Sequence, residues 1–151
     1  MTRPFVNTPE ARERLRTLIE SWVGTPFHAF AALKGVGVDC VHLAAEIYRE
    51  AGHLEGYRFP VYTLDAGQHA GRSVLLEWLD ACPKFQRIEA GGEVGDLFCF
   101  RLGRCAHHLG IGLGGTRFVH ALIRRRVRYG QLDDPTYGRR WVATYRPVVE
   151  G

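Results

Sequence analysis

The hydrophobic pattern of the chain changes once, near residue 85, and this change constrains the fold more than any other feature. Before it, apolar residues recur every three or four positions, which is the spacing of amphipathic helices. After it, short apolar runs alternate with glycine-containing turns, which is typical of antiparallel strands. The order predicts an α+β fold, with N-terminal helices packed on an antiparallel sheet of about five or six strands.

The length and composition favour one folded domain that spans residues 1–151. With 46% hydrophobic residues, the chain can bury one sizeable core but is short for two. No repeat and no linker divides it. The same composition excludes a disordered, collagen-like or coiled-coil chain.

Three helices are predicted in the first half of the chain. The first runs from about Thr8 to Val23 and starts with a capping box and a proline in its first turn. The second follows Asp39, a good N-cap, and has Cys40 in its first turn. The third covers Ser73 to Ala81, and the glycine-rich stretch 24–38 is predicted to be a loop.

Six strands are predicted in the second half. They are Phe85–Ile88, Asp96–Leu102, His108–Leu113, Arg117–Ile123, Arg126–Tyr129 and Trp141–Pro147. A two-residue turn at Gly114-Gly115 would place His108 near Ala121, diagonal to His120. Both imidazoles would then share a face only if a bulge or a longer loop shifts the register, so the register stays open.

The chain carries a modest positive charge. Its net charge is +4 with a pI of about 9.1, and 18 of its 20 basic residues are arginine. The one dense basic run, Arg124–Arg128, is either a solvated face or a contact for a polyanion. No apolar stretch approaches the roughly 20 residues of a membrane span, and the N-terminus lacks a signal-peptide core. We therefore expect cytoplasmic synthesis, no membrane span and no specific nucleic-acid partner.

The four cysteines are too few for a disulfide scaffold, so we expect free thiols. Cys99, Cys105, His107 and His108 invite comparison with a zinc site, but their spacing fits no common structural site. The glycine-rich stretch 112–115 lacks the helix and lysine of a phosphate-binding loop. We predict no metal and no cofactor.

Cys40 is the candidate nucleophile. A cysteine in the first turn of a helix meets the positive end of the helix dipole and unpaired backbone N–H groups, which favour the thiolate. Acyl transfer also needs an imidazole to move the proton and a polar group to orient that imidazole. His108 and His120, on the predicted hairpin, can supply both.

Five blocks of the sequence resemble, in order and spacing, the NlpC family of papain-like cell-wall cysteine peptidases. The blocks are residues 22–27 (WVGTPF), 37–43 (GVDCVHL), 95–98 (GDLF), 108–114 (HLGIGLG) and 118–121 (FVHA). The resemblance runs from about Thr8 to Tyr145. The stretch Lys34–Gly37 before the Asp-Cys pair is closest to the phage-associated branch of the family.

The resemblance implies a cysteine peptidase with a Cys-His-His triad. Cys40 would be the nucleophile, with its backbone N–H in the oxyanion hole, His108 the general base and acid, and His120 the group that orients His108. Typical members hydrolyse the D-glutamyl–diamino acid amide of peptidoglycan stem peptides, and phage members act at the tail tip. Partner proteins of a phage tail or another assembly would deliver the chain to the wall.

Departures from the family pattern lie around the substrate. The family follows Asp-Cys with Ser-Gly, but Val41 and His42 stand here, and Phe27 replaces a tyrosine. The resemblance implies that Asp39 and Phe27 contact substrate, Asp39 by helping to hold a free amino terminus. His42 is either a second titrating group near the cleft or a space-filling contact.

The departures leave two alternative functions open, and a second histidine competes with His108 for the role of base. The first alternative is a non-catalytic tail-assembly or wall-binding module of the same fold. The second is an amidase or acyltransferase that acts on another substrate. His107 is the rival of His108 for the role of base.

Overall fold

The structure is a computed structural model that describes residues 1–60, 74–89, 91–101 and 106–151, with the backbone alone at 106 and 107. Its helices are α1 (Pro9–Glu20), α2 (Cys40–Glu50), α3 (Val74–Ala81) and α4 (Pro135–Gly138). Its strands are β1 (Thr2–Pro4), β2 (Ala32–Leu33), β3 (Gly37–Val38), β4 (Phe85–Ile88), β5 (Val94–Arg101), β6 (Ala106–Gly114), β7 (Arg117–Ala121), β8 (Val127–Gln131) and β9 (Trp141–Glu150). No helix in these ranges is long and apolar enough to cross a membrane.

The described strands confirm the predicted α+β fold class. Seven of them form one antiparallel sheet in the order β1-β9-β5-β6-β7-β8, with β4 also paired to β9. Helices α1 and α2 pack on its central strands. Strands β5 to β8 form the predicted meander, but β9 returns to pair with β5. Strand β1 was not predicted, because its three exposed residues carry no apolar pattern.

Helix α1 begins where the sequence predicts and ends earlier. The Thr8 side chain accepts a hydrogen bond from the N–H of Ala11, and Pro9 occupies the first turn. Leu15 and Ile19 are buried against the sheet side of the molecule. The predicted end at Val23 is wrong by three residues, because the backbone leaves the helix at Glu20 and continues as a turn.

Helix α2 confirms the prediction closely. Asp39 is its N-cap, in an extended conformation, and its carboxylate accepts a hydrogen bond from the N–H of His42. The buried face of the helix consists of Cys40, Val41, Leu43, Ala44, Ile47 and Tyr48. This apolar face fixes the helix on the sheet, and the cap fixes the position at which the helix starts.

Several predictions fall partly outside the described residues. Helix α3 is described from Val74, and the predicted first residue Ser73 lies outside. So do Leu102, the predicted end of a strand, residues 61–71 of the link between the second and third helices, and Cys105.

The predicted loop 24–38 contains a small antiparallel ladder, and this is a correction. Strands β2 and β3 pair Ala32 with Val38 and Leu33 with Gly37. Two-residue strands are too short to produce an alternating pattern, which is why the sequence does not reveal them. The loop also binds the segment that leads into β8, because the N–H of Phe27 donates to the carbonyl of Arg125 at 2.9 Å.

The hairpin of β6 and β7 corrects the predicted register. Gly110 pairs with His120, whereas Gly114 pairs with Arg117, so the register shifts between Gly112 and Gly114. The tight turn is formed by residues 115 and 116 instead of Gly114-Gly115. This irregularity is a bulge of the kind that His108 and His120 need in order to share a face. It places both side chains on one face of the sheet.

Both faces of the sheet are covered. The main core lies under the helices and includes Ile19, Leu43 and Tyr48. A smaller cluster on the opposite face is formed by Phe98, Phe100 and Phe118, with Tyr137 packed against it. Helix α4, which the sequence analysis did not predict, carries this tyrosine over the second face.

A buried ion pair fixes the start of β5 against β9. Both oxygens of the Asp96 carboxylate accept from the Arg146 guanidinium at 2.9 Å, and the N–H groups of Gly92 and Glu93 also donate to it. Asp96 is fully buried, whereas Glu13 and Arg16 form an exposed pair on α1. A carboxylate in such a position satisfies the donors of two elements at once.

Replacing Asp96 with alanine is expected to destabilise the fold by about 3 kcal/mol, because four donors lose their acceptor and Arg146 loses its counter-charge. The matched control Glu13→Ala removes an exposed pair and is expected to cost less than about 0.5 kcal/mol. Urea unfolding of the two variants and the parent measures both values. Equal losses would show that burial of the pair does not matter.

Candidate functional site

Cys40 is placed at the N-terminal end of a helix that packs on the sheet. It is the first residue of α2, directly after the N-cap Asp39, and its side chain is 5% exposed. Helix α2 packs against β6 and β7, the strands that carry His108 and His120. The tertiary structure thus packs the helix that begins at Cys40 against the strands that carry the two predicted imidazoles.

The two predicted imidazoles contact each other directly. Nε2 of His108 lies 2.9 Å from Nδ1 of His120, and both side chains are buried. The rings meet edge to face, with centroids 5.1 Å apart and an interplanar angle of 74°. A neutral imidazole has one donor and one acceptor nitrogen. If one ring donates in this contact, the other must accept, so the tautomer of one histidine determines the tautomer of the other.

Aromatic rings enclose His120 on the second face of the sheet. The rings of Phe118 and Tyr137 pack edge-on to it, with centroids 5.0 Å and 5.1 Å away. Phe100 packs against His108 at 5.9 Å. Nε2 of His120 is buried, and no described residue gives it a hydrogen-bond partner. The aromatic rings therefore surround Nε2 of His120, which water does not reach.

Two glycines make room for Phe118, the residue beneath His120. A Cβ on Gly110 would lie 2.6 Å from the Phe118 ring, and one on Gly130 would lie 2.4 Å from it. Real Cβ atoms do not approach that closely. The Phe118 ring can therefore pack against the backbones of the two neighbouring strands only because these positions are glycine. The glycine of the fourth block, Gly110, is thus a packing requirement of the histidine pair.

Burial, together with the smaller effect of the positive charge of Arg128, its partner on β8, lowers the pKa of His120 from 6.5 to about 4. Desolvation disfavours the imidazolium because the charged ring loses its hydration. His120 is therefore a neutral imidazole at physiological pH. A neutral His120 can accept a hydrogen bond from an N–H of His108 without competing for the proton.

The predicted substrate-contacting residues lie before α2. Both oxygens of the Asp39 carboxylate are engaged: one accepts from the N–H and Nδ1 of His42, each at 2.8 Å, and the other from the N–H of Phe30 at 2.7 Å. Phe27 is half-buried and packs against the core, next to Val38. Val41 is buried in that core.

The other predicted site residues have different outcomes. Cys82 and Cys99 are buried free thiols, and burial raises the pKa of both, which keeps them protonated. Cys105 and the side chain of His107 lie outside what the structure describes. Within the described part of the chain, no group of three or more potential ligands could hold a metal ion.

Tyr137 is a residue of the site that was not predicted from the sequence. Its helix α4 has Asp134 as N-cap and Pro135 in the first turn. That pair is a recognisable helix start, but four residues are too few for an apolar period. Only the fold shows that this turn covers His120.

The pH dependence of stability provides a test of the buried His120. Between about pH 6.5 and 4 the unfolded chain binds a proton at this residue and the folded chain does not, so stability falls as the pH falls. His120 is expected to contribute about 3 kcal/mol near pH 7 that is lost near pH 4. Urea unfolding of the parent and His120→Gln across this range isolates the contribution. Parallel pH profiles would contradict it.

Tyr137 is expected to keep the pKa of His120 low by excluding water. Tyr137→Ala opens the ring edge to solvent and should raise the pKa of His120 from about 4 toward 6.5, whereas Tyr137→Phe keeps the ring and should leave it unchanged. An NMR titration of the His120 imidazole measures the shift. An unchanged pKa in Tyr137→Ala would assign the exclusion of water to other residues.

Comparison with known proteins identifies the family of this chain. Residues 24–146 match the NlpC/P60 family, and the match contains Cys40, His108 and His120. Over 137 residues the chain is 25% identical to murein DD-endopeptidase MepS/murein LD-carboxypeptidase of Escherichia coli strain K12. The aligned region covers 91% of this chain and 63% of that protein. The chain thus spans less than two thirds of this relative's length.

Solved structures share the fold. An NLP/P60 family protein from Staphylococcus aureus Mu50, described as similar to a lipoprotein, superposes with a TM-score of 0.66 at 21% identity, covering 97% of this chain and 44% of that one. The NlpC/p60 domain of the peptidoglycan hydrolase SagA superposes with a TM-score of 0.58 at 15% identity, covering 88% and 96%. With a family match over most of its length, this chain belongs to the NlpC/P60 family.

Proposed function

We propose that the protein is a cysteine hydrolase that cleaves peptide-like amide bonds of peptidoglycan. The observation that carries the proposal is the 2.9 Å contact between His108 and His120 on strands that pack against the helix beginning at Cys40. A nucleophile at a helix start, an imidazole and a group that orients it are the three parts that thiol acyl transfer needs.

The catalytic cycle begins with proton transfer from Cys40 to His108. If Nε2–H of His108 donates to Nδ1 of His120, then Nδ1 of His108 is the nitrogen that takes the thiol proton. The low pKa of His120 keeps that proton on His108, since a neutral His120 serves only as acceptor. The resulting thiolate and imidazolium form the reactive pair, and the start of α2 stabilises the negative sulfur.

Bond cleavage then follows the usual course of a thiol hydrolase. Sγ of Cys40 attacks the amide carbon, and the oxyanion accepts from the backbone N–H of Cys40 in the first turn of α2. The His108 imidazolium donates its proton to the leaving amine as the C–N bond breaks. Water, deprotonated by His108, then attacks the thioester, and release of the acid regenerates the thiol.

The substrate class is proposed from the relatives. The Escherichia coli relative is named for murein endopeptidase and carboxypeptidase activities, and SagA is named a peptidoglycan hydrolase. For this chain we propose the D-glutamyl–diamino acid amide of a stem peptide. A net charge of +4 suits an anionic wall polymer. Delivery to the wall by a partner, such as a phage tail protein, is part of the same proposal.

A second candidate is a wall-binding or tail-assembly module that has kept the fold but not the activity. The altered positions Phe27, Val41 and His42 favour it, because the family resemblance places these positions on the substrate side of the cleft. An amidase or acyltransferase on another substrate would keep the triad and change only the acceptor. A panel of stem peptides and acyl esters separates the three, since a pure binder turns over none of them.

Replacing Cys40 with alanine is expected to lower the hydrolysis of stem peptides by at least about a thousandfold, because no other group can form the acyl-enzyme. Product release measured by chromatography gives the rate, and urea unfolding checks that the fold persists. The matched control Cys82→Ala removes a buried thiol that remains protonated and should keep the parent rate.

The rate of alkylation measures the reactivity of the Cys40 thiol without a substrate. Cys40 is expected to react with iodoacetamide faster than Cys82 and Cys99, and His108→Ala is expected to slow it. Parent-like hydrolysis by Cys40→Ala would refute the mechanism. A slow Cys40 together with no turnover of any substrate would favour the binding module.

A further inference from the structure

The Asp39 carboxylate is engaged entirely within the protein. Its side chain is 1% exposed, and three donors reach its oxygens: the N–H and Nδ1 of His42 and the N–H of Phe30. A ligand ammonium could contact this carboxylate only by displacing His42. The acidic residue beside the nucleophile is therefore closed to a substrate cation in this chain.

His42 takes the place of the carboxylate at the surface. Its side chain is 37% exposed, and among the described residues no hydrogen bond reaches Nε2. Because Nδ1–H donates to a buried carboxylate, the ring has a fixed orientation and its other nitrogen is directed away from Asp39. An oriented Nε2 accepts a hydrogen bond from a neutral N–H group when the ring is neutral.

The neighbouring loop adds a strained and exposed aromatic residue. Phe30 has a φ of +63°, a region that non-glycine residues rarely adopt, and its side chain is 55% exposed. That conformation costs of order 1–2 kcal/mol, and the hydrogen bond from the N–H of Phe30 to Asp39 helps to stabilise it. Asp39, one residue before Cys40, thus binds both the imidazole of His42 and the backbone N–H of Phe30.

We propose that His42 is a specificity-determining residue. It shields Asp39 and presents an imidazole in its place, so the substrate group bound here is the amide N–H of an acylated amino end and not a free ammonium. The proposal rests on the proposed hydrolase function and deepens it. It also changes the expected role of Asp39 from binding a substrate amine to holding His42 and capping α2.

The test uses two stem peptides that differ only in a free or an acetylated amino terminus. The ratio of kcat/KM for the free peptide to that for the acetylated peptide is measured for the parent, His42→Ala and the double variant His42→Ala with Asp39→Asn. Asparagine is also a good N-cap, so α2 keeps its start in the double variant. Arg49→Ala, at the exposed far end of α2, is the matched control.

His42→Ala is expected to raise the ratio by about tenfold or more, because a charge-assisted bond to Asp39 becomes available. The double variant should return it to the parent value, and Arg49→Ala should not change it. An unchanged ratio in His42→Ala would overturn the proposal. A rise that persists in the double variant would also overturn it, since the gain would not come from the carboxylate.

A binding measurement separates this proposal from the hydrolase function. Calorimetry with Cys40→Ala, with and without His42→Ala, gives the Kd of each peptide and requires no turnover. If the parent cleaves neither peptide but His42→Ala shifts the Kd ratio by about tenfold, the hydrolase function fails and the role of His42 stands. Equal Kd ratios, or no binding of either peptide, would overturn the role of His42.

Discussion

The buried carboxylate of Asp39 connects three parts of the molecule that the site needs. It caps α2 and so fixes where Cys40 starts the helix, it binds the backbone of Phe30 in the preceding loop, and it orients His42. A cap contributes about 1 kcal/mol to a helix, but here the same two oxygens also bind Phe30 and His42 near Cys40. The start of α2 and the orientation of His42 therefore depend on one side chain.

The histidine pair depends on backbone geometry more than on polar contacts. A bulge near Gly112 puts His108 and His120 on one face, and Gly110 leaves space for Phe118 beneath them. Aromatic packing then removes water from His120 and lowers its pKa. Desolvation disfavours the charged form of His120, so it does not compete with His108 for a proton. In the proposed mechanism, the aromatic cluster thereby keeps the thiol proton on His108.

Much of the fold could be read from the order of patterns. The capped helices and five of the six predicted strands lie within a few residues of their predicted bounds where the structure describes them, because burial of one face imposes a period on the sequence. The sixth, β9, starts at Trp141 as predicted but extends to Glu150, since β1 pairs with its end. Elements of two to four residues, such as β2, β3 and α4, are too short to have a period.

The fold class, the position of Cys40 in the first turn of a capped helix, and the candidates His108 and His120 could be predicted from the sequence, because caps, periods and family blocks are local. The hairpin register, the pairing of β9 with β5 and the enclosure of His120 by Tyr137 follow from the tertiary structure instead. It also decided that His42 occupies the Asp39 carboxylate. These features depend on contacts between distant segments and on side-chain direction, and neither follows from spacing along the chain.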